Sequence, residues 1–337
     1  MRRILLRAYH LWQRILTEGK QFPKVYKNFG FKVARVTFVD GLIPPGKSRK
    51  YIKTIENYMD KYMEPIINKY IEQCENLSFL DLKNNEDVVP VWCCWWQGIE
   101  NMPEIVKMCN DRLKEVIPIN KAELHMITWD NLSDYIEFPA HIKHKYDAGF
   151  ISMTALSDIL RVMLLSKYGG FWIDSTVLIT GEFPKEYITN YFYTHRVHEM
   201  KDKWKREAGR GLWCGFLIAG SKDNPIFSYL EEAFIQWWKD FDMVIDYVIL
   251  DYFLLSAYKK IPFFQKVIDS VPDNDVDMFE MYKVLHLPYT KELMNSLTKR
   301  TNLHKLTYKI NLKKTTEQGS MTLYQYLLNC VNNHVNF

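Results

Sequence analysis

At 337 residues, with 47% hydrophobic and 15% aromatic side chains, the chain is long enough for one large α/β domain with extensions and lies far from the composition of a disordered protein. Lys and Arg number 44 against 40 Asp and Glu, a surplus too small and too dispersed to argue for a nucleic-acid partner. The six cysteines show neither a CxxC pair nor a Cys/His zinc spacing and read as reduced thiols. Arg7 interrupts Ile4, Leu5 and Leu6 at once, so the N-terminus does not read as a signal peptide, and a cytoplasmic protein is expected.

The charge is unevenly placed. Arg2, Arg3, Arg7, Arg14, Lys20, Lys24, Lys27 and Lys32 stand against the single acid Glu18. Over residues 4–16, Ile4, Leu5, Ala8, Leu11, Trp12 and Ile15 share one helical face, which makes a basic amphipathic helix. Such a helix either packs on the domain or lies on an anionic membrane as a peripheral anchor. After the turn-rich GLIPPG at 41–46, Ile52, Ile55, Met59, Met63, Ile66 and Tyr70 recur at helical spacing, with Pro65 expected to kink or split the helix. A polar stretch at 81–87 marks a boundary, so residues 1–86 form a helical basic extension.

From Val88 the pattern alternates between strands and helices. Residues 88–95 (VVPVWCCW) form a nearly continuous apolar run, as expected of a buried parallel strand, and a helix at 103–114 follows. A second strand is expected at 124–128, a helix at 154–168, and a third strand at 171–173 that stops at Asp174. This order predicts an open, mostly parallel sheet flanked by helices over residues 87–310, with ligands bound beyond the carboxyl ends of its strands. Residues 311–337 form a tail packed on that domain or near a membrane.

The helix at 154–168 is apolar almost all round and therefore buried, yet it carries Asp158 and Arg161 at i,i+3. They read either as a buried ion pair or as groups holding ligand hydroxyls and phosphates. Tyr168-Gly169-Gly170 supplies a helix stop, and Asp174-Ser175-Thr176 places a carboxylate and hydroxyls at a strand end. Such oxygens suit Mn²⁺ or Mg²⁺.

The order of these pieces resembles the capsular polysaccharide synthesis proteins and the wider group of sugar transferases with a DxD motif. The match runs through Trp95-Trp96-Gln97-Gly98, Asn101-Met102-Pro103, Leu156-Ser157-Asp158 with Arg161, Tyr168-Gly169-Gly170 and Asp174. The resemblance implies a GT-A fold that moves a hexose from a nucleotide diphosphate sugar, a UDP-sugar above others, to a glycan acceptor, lipid-linked in surface polysaccharide assembly. It implies a retaining course and Mn²⁺ or Mg²⁺ as cofactor. By position, Trp92, Trp95, Gln97 and Gly98 line the nucleobase end; Asp158 and Arg161, with Tyr168, Gly169 and Gly170, complete the donor site; Asp174 heads the metal motif.

This chain departs from the motif at Thr176, where the family pattern has a second Asp. His304 or His286 could supply the missing ligand, and His304 is the expected one, beside Asp174 and Thr176. Asp251 is the leading carboxylate of the second half, as a base in an inverting course or as a helix cap. No P-loop, GxGxxG or GxSxG accompanies these residues, which leaves a non-catalytic glycan- or synthase-binding partner as the other reading.

Overall fold

A computed structural model describes residues 2–42, 47–78, 86–197, 208–335 and 337. The chain opens with three helices, α1 (Arg2–Gly41), α2 (Arg49–Tyr62) and α3 (Glu64–Cys74). Gly30, at φ 80° and ψ 172°, breaks α1 into two arms that fold back on each other, so Phe22 on the first arm meets Phe31 and Phe38 on the second. The break between α2 and α3 falls at Met63, with Pro65 in the first turn of α3, where its missing N–H costs nothing. The Pro44-Pro45 turn and the polar boundary at 81–85 lie outside the described residues.

The sheet follows as β1 (Val89–Cys94), α4 (Glu104–Val116), β2 (Ala122–Ile127), α5 (Ala140–Asp147), α6 (Met153–Tyr168) and β3 (Gly170–Ile173). Beyond it come β4 (Val177–Ile179), α7 (Glu186–Thr189), β5 (Phe192–Thr194), β6 (Leu217–Gly220) and α8 (Pro225–Asp240). Strand order is β2-β1-β3-β6-β5. β1 runs parallel to β2 and β3, and β6 runs antiparallel to β3 and β5, so every strand but β6 points the same way. The sheet is thus mostly parallel, as the α/β alternation predicts. Its central strand β3 is wholly buried, because both faces are covered. Phe171 stacks on Tyr187 of α7, while Trp172, one residue on, faces Arg161 of α6.

The remaining elements are α9 (Ile249–Lys260), α10 (Pro262–Asp269), α11 (Met281–Val284), α12 (Lys291–Thr298), β7 (Leu303–Lys305) and α13 (Leu323–Asn332). Ile55 and Met59 of α2 and Ile67 of α3 are fully buried in the same core as Phe234 and Phe253, so α2 and α3 are built into the domain. A smaller apolar cluster joins Ile105 and Val106 of α4 to Leu178, Leu285 and Leu327, and it ties the C-terminal tail to the domain. Among the described residues no helix is long and apolar enough to cross a membrane.

Candidate active site

Two local features bring the charged residues together. Ser152 caps α6, its hydroxyl accepting from the Ala155 N–H at 3.2 Å, and the helix then presents Asp158 and Arg161 one turn apart. β3 delivers Asp174, whose N–H donates to the Phe216 carbonyl at 3.0 Å, and a tight turn returns the chain into β4. There Thr176 accepts through its carbonyl from the Leu306 N–H at 2.8 Å, which brings β7 and Lys305 alongside.

The result is a continuous chain of charge. Arg161 pairs with Asp158 at 2.9 Å and with Asp174 at 3.5 Å. Lys305 Nζ donates to Asp174 Oδ2 at 2.6 Å and to Thr176 Oγ1 at 2.8 Å. The Trp172 indole donates to Asp174 Oδ1 at 3.0 Å, and its ring lies under the Arg161 guanidinium at 5.0 Å. Gly215 lets Arg161 reach this position, since a Cβ there would sit 2.7 Å from Nη1.

The two carboxylates respond differently. Burial raises the Asp158 carboxyl to about 6, against the opposing pull of Arg161 and with a further push from Asp174. Burial also pushes Asp174 up, but Lys305 and Arg161 outweigh it and hold that carboxyl below its ordinary range. At neutral pH two carboxylates therefore face two cations. Burial pushes the nearby Cys94 and Cys214 thiols far up, so neither is a ready nucleophile.

This cluster floors a cleft of about 620 Å³. Of the residues singled out from sequence, Trp95, Gln97, Asp158, Arg161, Thr176 and Asp251 line it together with Asp174. Asp251, in the first turn of α9, accepts from the Trp213 indole at 3.0 Å.

Other expected residues lie elsewhere. Trp92 is 2% exposed, donates to the Gly169 carbonyl at 2.9 Å, and is enclosed by His125, Tyr135 and Tyr168 rather than by the cleft. Tyr168 hydrogen-bonds the Tyr135 carbonyl, and Gly169 and Gly170 are needed for close backbone approach to Lys222 and Pro90. Gly98 takes φ 87° in a turn beside the cleft lining, and His286 is exposed away from it.

His304 does not share the cleft with Asp174 and Thr176. It is fully buried on the side of β7 opposite Lys305, its Nε2 is 3.1 Å from Thr180 Oγ1, and burial lowers its pKa to about 3. Strand alternation gives the cleft to Lys305 instead. Lys305, Trp172, Trp213, Tyr247 and Tyr308, none of them among the site residues expected from sequence, also line the cleft.

The donor set present does not fit a carboxylate-bound divalent ion. Both Asp174 oxygens are engaged by Lys305, Trp172 and Arg161, and Thr176 Oγ1 is held by Lys305. Among the described residues no group of three or more His, Cys, Asp or Glu could share an ion. The arrangement offers two cations, held in place by carboxylates, to an anion entering the cleft.

Comparison with known proteins gives three findings. A Legionella pneumophila protein, "Subversion of eukaryotic traffic protein A", is 30% identical over 95 residues, which is 28% of this chain and 14% of that protein. Among solved structures the PaToxG glycosyltransferase superposes with a TM-score of 0.40 at 14% identity, over 75% of this chain and 99% of that one. The model of the capsular polysaccharide synthesis proteins matches residues 44–327, which spans the whole sheet and every residue of the cleft described above, and the chain belongs to that family.

Proposed function

We propose that the chain is a glycosyltransferase that takes a hexose from a nucleotide diphosphate sugar, a UDP-sugar above others, and passes it to a glycan acceptor, lipid-linked, in surface polysaccharide assembly. Membership of a capsular polysaccharide synthesis family supports the reaction class. The observation that carries the reading is the run Asp158, Arg161, Asp174, Lys305 on the floor of an aromatic-lined cleft. At about 620 Å³ the cleft is of a size that takes a small organic ligand, within the roughly 300–1,000 Å³ of such sites.

The chemistry follows from charge. Departure of a nucleoside diphosphate leaves positive character at the anomeric carbon and negative charge on the leaving oxygens. Lys305 and Arg161 face that developing charge, already oriented by Asp174 and Asp158, so little reorganisation is needed during bond breaking. Asp158 is the carboxylate for sugar hydroxyls, and Trp95, Tyr247 and Tyr308 at the cleft give flat apolar faces for base or sugar. Asp251, which lines the same cleft, would be the base for the acceptor hydroxyl in an inverting course.

The test is thermal stabilisation of the purified chain by UDP-, GDP- and CMP-sugars. A melting rise of several degrees with one class, and slow hydrolysis of that donor, is the expected result. No response to any donor would favour a glycan- or synthase-binding partner that keeps the fold without the chemistry.

A further inference from the structure

The first arm of α1 has a part that the described residues of the domain leave exposed. From Val25 onward the helix is anchored: Val25 and Phe29 are each 6% exposed, and Val33, Ala34 and Val36 of the second arm are buried beside them. The second arm ends at Gly41, against which Glu18 of the first arm packs directly. Residues 9–17 therefore project past the end of the hairpin, and with the preceding turns of the helix the overhang is about 24 Å at 1.5 Å per residue.

On this overhang the apolar side chains are largely exposed. Tyr9, Leu11, Trp12, Ile15 and Leu16 are 55%, 46%, 55%, 41% and 42% exposed. At about 100° per residue they cover one side of the helix, and His10, Gln13, Arg14 and Thr17 occupy the other. Arg14, Lys20, Lys24 and Lys27 follow along the same arm, and the sequence adds Arg2, Arg3 and Arg7 before it. Glu18 is the single acid before Asp40, and it is drawn in against Gly41 rather than presented outward.

We propose that this projecting end of α1 docks on an anionic lipid bilayer, lying in the interface with Tyr9, Leu11, Trp12, Ile15 and Leu16 inserted and the cations over the headgroups. A second protein surface would have to match both an apolar stripe with Trp and Tyr and an excess of cations. A bilayer with anionic lipid supplies both at once, because aromatic rings favour the interface and each cation gains from the surface potential. The arm lies on the membrane and does not span it. This inference does not depend on what the cleft binds, and would hold equally for an enzyme or a binding partner.

The experiment is co-sedimentation of the full chain with vesicles of phosphatidylcholine alone and of phosphatidylcholine mixed with phosphatidylglycerol. Binding is expected to the anionic vesicles and to fall at least about tenfold in 1 M salt, where the Debye length is about 3 Å. The double variant Trp12→Glu with Leu16→Glu should lose at least about tenfold in partitioning without a change in melting temperature, because neither residue touches the core. The milder Trp12→Ser should move in the same direction. Sedimentation with neither vesicle, equal sedimentation with both, or self-association through Trp12 in place of vesicle binding would overturn the proposal.

Discussion

At its N-terminal half α6 turns Asp158 and Arg161 toward an open cleft, whereas its C-terminal end, with Tyr168, Gly169 and Gly170, closes against β1 and the loop after β6. Both ends sit in one short segment that resembles a donor site as a unit. Their chemistry separates them. Charges in a buried helix must be answered by other charges, and those partners, Asp174 and Lys305, come from elements that meet at the cleft. An aromatic followed by two glycines needs only a backbone that comes close.

The largest effect should come from the closed end. A Cβ at Gly170 would collide with the Pro90 carbonyl, and the residue sits at φ 100°, so Gly170→Ala should destabilise the chain by roughly 3 kcal/mol or more in urea unfolding. Protein that remains folded should keep its donor affinity, which would confirm that this end shapes the fold. At the open end, Lys305→Ala should reduce kcat/KM for the donor by about a hundredfold, with Lys305→Arg recovering part of it. Equal loss in both variants, or a collapse of melting temperature, would place Lys305 in a structural role.

Asp158 gives a smaller effect with a defined pH window. Its folded pKa, about 6, lies above the ordinary aspartate value of 3.8, so the group contributes stability below that lower value and loses it as pH rises through the folded one. Asp158→Asn removes this slope. The wild type should therefore lose about 1–3 kcal/mol relative to the variant between about pH 4 and pH 6.5. Parallel curves would mean that Asp158 is charged in the folded state throughout. Smallest of all, Trp92→Phe removes the hydrogen bond to the Gly169 carbonyl and should cost about 1 kcal/mol in stability, with KM for the donor unchanged. A raised KM would return Trp92 to the donor site.

Much of the sheet was legible in the sequence. β1, β2, α6 and β3 fall within two or three residues of their expected bounds, because continuous apolar runs and glycine stops mark buried strands and helix ends. Asp158, Arg161 and Asp174 were legible for a related reason: charge in apolar surroundings stands out. The facing of short strands was not. β7 runs Leu303, His304, Lys305, and its register against β4 decides whether histidine or lysine faces Asp174. The sequence carries no period long enough to settle that, and histidine was favoured because a metal motif one carboxylate short suggested it. Trp92 is a similar case, since β1 is largely buried and neither face is marked as the ligand side.

Whether the charge chain on the cleft floor is a donor site is tested most directly by donor hydrolysis with Asp174→Asn, measured beside the wild type at equal folded concentration. Asparagine leaves the shape nearly unchanged but no longer holds Lys305 and Arg161 in place by charge. Hydrolysis of a nucleotide sugar by the wild type, reduced at least about a hundredfold in the variant, is the predicted result. Full activity in Asp174→Asn, or no hydrolysis of any nucleotide sugar by the wild type, would contradict it.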